Sequence, residues 1–181
     1  MPPSLGLDRR TPLPPAAHRP NDPVNKRYRD LVDIDTARKV ACSVHADQMT
    51  RFGEPLIDHV DRVARAVPDE ARALAYLHDA LERSDMTCNA LRAYGLTAVE
   101  CSALKLLTRD AGESYTAYVE RIAHAPGVAG RFARTVKVAD LDDHLRHRIT
   151  THAPDYAWAR AVIVDSQERH HEQRPRGASG G

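Results

Sequence analysis

Between residues 26 and 168 the apolar positions recur every three and four residues, the spacing that puts side chains on one face of an α-helix. Residues 36–48 set Ala37, Val40, Ala41 and Val44 on such a stripe, with Thr36 placed to cap its amino end. A second stripe over 56–67 carries Leu56, Val60, Val63, Ala64 and Val67. A third, over 69–83 behind Pro68, carries Ala71, Leu74, Ala75, His78 and Leu81. Shorter helices are expected at 87–94, stopped by Gly95, at 97–107, and at 115–123 behind Ser114. A long helix is expected over 130–148 and a last one over 155–167 after Pro154. No run of five or more residues alternates in the manner of a strand, so the pattern predicts an all-α fold.

The flanks read differently. Seven of the twelve prolines fall within residues 1–23, and proline removes a backbone donor and fixes φ. The expected organisation is a Pro-rich disordered arm over 1–25, one helical domain over 26–168, and a disordered tail over 169–181. The formal charge of +1 argues against a nucleic-acid polymer or a membrane surface as partner. No apolar run approaches the roughly 18 residues of a spanning helix. Cys42, Cys88 and Cys101 form no CxxC pair and leave an odd count, so reduced thiols and a cytoplasmic location are expected. Isolated apolar residues define no dimer surface, which leaves the oligomeric state undetermined.

The candidate chemistry comes from polar residues at core positions. His78 lies on the inward stripe between Leu74 and Leu81, Asp79 follows it, and Glu82 is one turn further on. Asp140 takes an inward position four residues after Val136, with Lys137 and His144 a turn to either side, and His59 sits beside Val60 and Val63. Each has an ordinary structural reading. An inward His is commonly a hydrogen-bonded core residue, Asp140 can pair with Lys137 or Arg146, and Glu82 can be a helix-surface charge. With ten His and seventeen Asp in the chain, about one His-Asp pair arises by chance. What favours a site is the set: His59, His78, Asp79 and Asp140 on separate inward faces would all be satisfied by one divalent ion. Two imidazoles and two carboxylates suit Mn²⁺, Fe²⁺, Co²⁺, Ni²⁺ or Zn²⁺ better than Mg²⁺ or Ca²⁺. Metal-assisted hydrolysis is the chemistry such a set implies.

Four blocks carry a family resemblance: ARKVACSVHADQMTRFGEPLIDHVDRVA, ALAYLHDALERSDMT, LKLLTRDAGESYTAYVERIA and TVKVADLDDHL. In order and spacing they resemble the HD-domain metal phosphohydrolases, and among these the small hydrolases related to the RelA/SpoT alarmone enzymes. The resemblance implies an HD-type helical bundle and metal ligands at His59, His78, Asp79 and Asp140, with Mn²⁺ as the usual ion. It implies Glu82 as the catalytic glutamate, with adjacent Arg83 either weakening catalysis or adding a phosphate contact. Substrate contacts would fall at Arg51, Tyr115, Lys137, His144, Arg146 and His147. The implied reaction removes pyrophosphate from the 3′ position of guanosine tetra- or pentaphosphate, a small nucleotide substrate. The chain departs from the family at Arg83, where an Asp is usual, and at His144 and His147, where Asn and Thr are usual. Thr50 and Val60 replace an Arg and a Pro. These departures keep two alternatives open: an HD-type nucleotidase or phosphatase acting on another small phosphorylated substrate, and a catalytically silent nucleotide-binding module.

Overall fold

The computed structural model describes residues 32–147 and 152–172. The Pro-rich arm assigned to 1–25 lies outside them, as do residues 173–181 of the expected tail. In chain order the helices are α1 (Ile34–Val44), α2 (Leu56–Ala66), α3 (Asp69–Leu77), α4 (Ala80–Arg83), α5 (Cys88–Ala93), α6 (Ala98–Leu107), α7 (Tyr115–His124), α8 (Gly127–His147) and α9 (Ala153–Glu172). No strand occurs among the described residues, so the fold is all-α, and no described helix is long and apolar enough to cross a membrane.

Local chemistry accounts for most boundaries. Thr87, Thr97 and Ser114 cap α5, α6 and α7 by accepting the N–H groups of Ala90, Glu100 and Ala117. Thr97 and Glu100 form a reciprocal capping box. The amino end of α1 corrects the expectation: Asp33, not Thr36, is the cap, and its carboxylate accepts both the N–H and the hydroxyl of Thr36 at 3.0 and 3.1 Å. The helix therefore begins early enough for Ile34 to pack on the core. The last helix runs past its expected end, so residues 169–172 are helical rather than part of a tail. Its final turns are held where buried Ser166 donates to the Ala123 carbonyl and where His170 Nδ1 lies 2.8 Å from the Ser166 carbonyl.

The long helix α8 is the axis of the bundle, touching α2, α3, α6, α7 and α9, while α1 packs on α3. Leu56, Val60, Val63, Leu74, Leu77, Leu104, Ile122, Val136 and Leu141 fill the interior. Helices α5 and α6 bring Cys88 and Cys101 to a Cα–Cα distance of 5.7 Å, within the range a disulfide can bridge, while Cys42 stands apart as a thiol.

The α7–α8 corner places α8 for its later role. Buried Arg134 on α8 donates Nη1 to the carbonyls of Ile122, Ala123 and Ala125, the last at 2.6 Å, closing the carboxyl end of α7. Gly130 lies so close to Ala125 that a Cβ there would overlap the Ala125 carbonyl. Gly130→Ala is therefore expected to destabilise the protein by about 2 kcal/mol or more, by displacing α8 from this corner. Chemical denaturation of the two proteins, compared at their midpoints, checks this.

Candidate metal centre

The stripe expected to run unbroken over 69–83 is interrupted at His78–Asp79, which separates α3 from α4. At the break the His78 N–H reaches Ala75 O at 3.5 Å instead of continuing the α-helical ladder, and Asp79 takes φ −92° and ψ −8°. In a continuous helix adjacent side chains diverge by about 100°. Across the break both side chains line one cavity, with His78 Nε2 and Asp79 Oδ1 3.4 Å apart.

Hydrogen bonds on the far side of two rings set their chemistry. His78 Nδ1 lies 2.7 Å from the Ala75 carbonyl, which only a protonated Nδ1 can satisfy. In the neutral ring Nε2 then carries the lone pair, and it is buried with no hydrogen-bond partner among the described residues. His59 Nδ1 is 2.7 Å from Asp143 Oδ2, and its Nε2 points back toward Asp140 Oδ1 at 3.3 Å. An imidazole whose outer N–H is held by a carboxylate or carbonyl is arranged as a metal ligand. The residues present thus fit a divalent ion, the orphaned Nε2 of His78 most directly.

The two expected carboxylate ligands share a pattern. Asp140 gives Oδ2 to Lys137 Nζ at 2.7 Å and presents Oδ1 to the imidazoles. Asp79 gives Oδ2 to Arg83 Nε at 3.0 Å and presents Oδ1 to His78. Each carboxylate is clamped by one cation and offers one oxygen to the centre. Burial opposes ionisation of Asp140, but Lys137 and the imidazoles hold its carboxyl well below the usual range. Asp79 is lowered likewise: burial opposes its ionisation, and His78, Arg83 and His59 together outweigh it. Burial would depress His59, yet its bonds to Asp140 and Asp143 push it up to about 9.

These residues form the floor of a cavity of about 510 Å³, also lined by Glu82, Arg83, Arg109, Tyr115, Tyr118, Lys137 and Tyr156. Glu82 Oε2 accepts the Arg109 backbone N–H at 3.3 Å. The Tyr115 hydroxyl is buried without a partner among the described residues, and burial pushes its pKa up to about 12. Three expected contacts are elsewhere. Arg51 lies over the Phe52 ring on an exposed loop, Arg146 pairs with Asp142 at 3.8 Å on the outer side of α8, and His147 reaches only to 4.0 Å from Asp143. None of the three lines the cavity.

Two contributors escaped the sequence reading. Asp143 is buried, accepts His59 Nδ1–H, and is held by Arg62 Nε and Nη2, while Arg62 also pairs with Glu54. Its place three residues after Asp140, on the same inward face, was the available signal. Tyr156 stacks on the His144 ring with centroids 5.1 Å apart, a contact from α9 that no local pattern announces. Compared with protein-family models the chain matches none, and no curated protein matches it significantly.

Two outcomes follow from this geometry. With chelator present, His59 is protonated at neutral pH, and a raised histidine pKa adds stability that is complete below about pH 6.5 and lost as pH rises through about 9. The melting temperature of chelated protein should fall across that window, and added Mn²⁺ or Zn²⁺ should reduce the fall, as read by scanning calorimetry. Asp143→Asn removes the charge that orients His59 while leaving every candidate ligand in place. It should weaken divalent-ion binding by about 10–100-fold in a calorimetric titration.

Proposed function

We propose that the protein is a metal-dependent phosphohydrolase of nucleotides, with 3′-pyrophosphate hydrolysis of guanosine tetra- or pentaphosphate as its leading reaction. The observation that carries this reading is the convergence of His59, His78, Asp79 and Asp140 at the floor of one cavity, with an orphaned imidazole nitrogen aimed into it. A divalent ion held there, Mn²⁺ first among the candidates, supplies Lewis acidity at a phosphoryl oxygen and lowers the pKa of a nearby water.

The surrounding side chains have separate tasks under this reading. Glu82 lines the same cavity, where a carboxylate can take a proton from an attacking water. Its backbone partner at Arg109 fixes one oxygen and leaves the other to do so. The Tyr115 hydroxyl, kept protonated by its raised pKa, is a donor for a phosphate oxygen. Arg83 and Lys137 act through Asp79 and Asp140, holding one oxygen of each. Hydrolysis adds water across the 3′ phosphoester, returning the guanosine 5′-nucleotide and free pyrophosphate. A cavity of about 510 Å³ is within the range that accommodates a nucleotide. The cytoplasm, where nucleotide pools lie, is the compartment this reading calls for.

A second reading has its own support. His144 is stacked between His59 and Tyr156, so the amide geometry expected at that position is not reproduced. This favours an HD-type phosphatase or nucleotidase with another small phosphorylated substrate. The deciding experiment incubates Mn²⁺-loaded protein with guanosine tetraphosphate and a panel of ordinary nucleotides, with Asp140→Ala as control. Pyrophosphate from the alarmone supports the first reading, and inorganic phosphate from another nucleotide supports the second. Absence of any product, with the ion bound, overturns both. Where turnover occurs, Glu82→Gln is expected to lower kcat by about 100-fold or more with unchanged metal affinity.

A further inference from the structure

The sequence reading puts His144 among the substrate contacts. In the folded chain its Nε2 lies 3.2 Å from Asp140 Oδ1. The same oxygen is approached by His59 Nε2 at 3.3 Å and by His78 Nε2 at 3.9 Å. Two imidazole nitrogens thus stand close to one carboxylate oxygen and a third lies further off, while its sister oxygen already accepts from Lys137. His78 is beyond hydrogen-bond reach of this oxygen and its buried Nε2 has no hydrogen-bond partner among the described residues, so hydrogen bonding gives no account of the third nitrogen. Coordination gives one: an ion between the nitrogens and the oxygen would meet a lone pair from every side.

The remaining geometry agrees. His144 is one helical turn from Asp140 on α8, so both side chains leave the same face of a rigid element. Its ring is fixed on both sides, parallel to His59 at 5.0 Å and 11° and to Tyr156 at 5.1 Å and 19°. Donor atoms of His59, Asp140 and His144 lie within 4.8 Å of one another, as do those of His59, His78 and Asp79. The two triads share His59. We infer that His144 is a fifth protein ligand to the metal, beside His59, His78, Asp79 and Asp140, and is not a contact to the substrate base.

The inference rests on the metal-site part of the proposed function and changes its chemistry. Three imidazoles and two carboxylates leave a six-coordinate ion one position for water or substrate. The added nitrogen shifts preference from Mn²⁺ toward the borderline ions Fe²⁺, Co²⁺, Ni²⁺ and Zn²⁺. Binding of substrate through two oxygens of one phosphate would need a ligand to leave.

The test uses the full chain loaded with Co²⁺, with imidazoles counted by X-ray absorption at the cobalt edge and Co²⁺ and Mn²⁺ affinities measured by calorimetry. Three imidazoles are expected in the wild type and two in His144→Asn. Co²⁺ binding should weaken by about tenfold or more in the variant, and Mn²⁺ binding by less. Two imidazoles in the wild type, or unchanged Co²⁺ affinity in His144→Asn, overturns the inference. If the variant fails to fold, the wild-type count alone decides. Three imidazoles with no nucleotide turnover upholds His144 as a ligand and removes the hydrolase reading, whereas turnover with two does the reverse. Failure to bind Co²⁺ overturns the metal site and His144's part in it together.

Discussion

A carboxylate on the inward face of a helix has to be matched by positive charge, because an unpaired buried charge costs several kcal/mol. Asp140, 4% exposed in the middle of α8, imposes that demand here, and the other helices meet it. Lys137 supplies a cation from the same helix one turn earlier. The imidazoles come from α2, from the α3–α4 break and from the following turn of α8. The centre is therefore also a packing device. The elements that bring ligands to Asp140 are those that bury Val60, Leu77, Val136 and Leu141 behind it.

Charge then propagates outward with alternating sign. Asp140 faces His59, His59 donates to Asp143, Asp143 accepts from Arg62, and Arg62 returns to Glu54 ahead of α2. Each link fixes the next, so the tautomer of His59 is decided by a residue that touches no candidate ligand oxygen. The same logic appears in shorter form at His78, where a main-chain carbonyl does what Asp143 does for His59. Rings held in this way lose little freedom on binding an ion, which is the physical sense in which the site is preorganised.

The helical period was sufficient to locate the described helices, with α3 and α4 joined into one, because burial at three- and four-residue spacing is a local signal. It was equally informative about His59, His78 and Asp140, polar residues on apolar stripes. It misled where tertiary contacts override the period. The break at His78–Asp79 keeps both side chains inward, and an uninterrupted stripe over 69–83 gives no hint of it. Asp33 replaces Thr36 as the cap because two competent capping residues lie within one turn and packing of Ile34 chooses between them. Tyr156 and the Cys88–Cys101 pair depend on how separate helices meet, and Arg51, Arg146 and His147 were placed by resemblance alone.

Arg83 shows how a departure in sequence can be consistent with the same chemistry. An acidic side chain at this position would repel both Asp79 and an incoming phosphate. The guanidinium instead holds Asp79 Oδ2 through Nε, while its forked end, on a side chain 44% exposed, lies at the cavity rim. Lys137 already balances Asp140 and Arg62 balances Asp143, so each buried carboxylate of the centre has its own cation. The positive charge of a divalent ion bound as proposed would then not be consumed in neutralising these carboxylates. It would remain to attract an anion, and in a partly enclosed cavity that attraction is less screened than in bulk water. Under the proposed function, the guanidinium of Arg83 at the rim would favour polyanionic ligands, the class to which nucleotide phosphates belong.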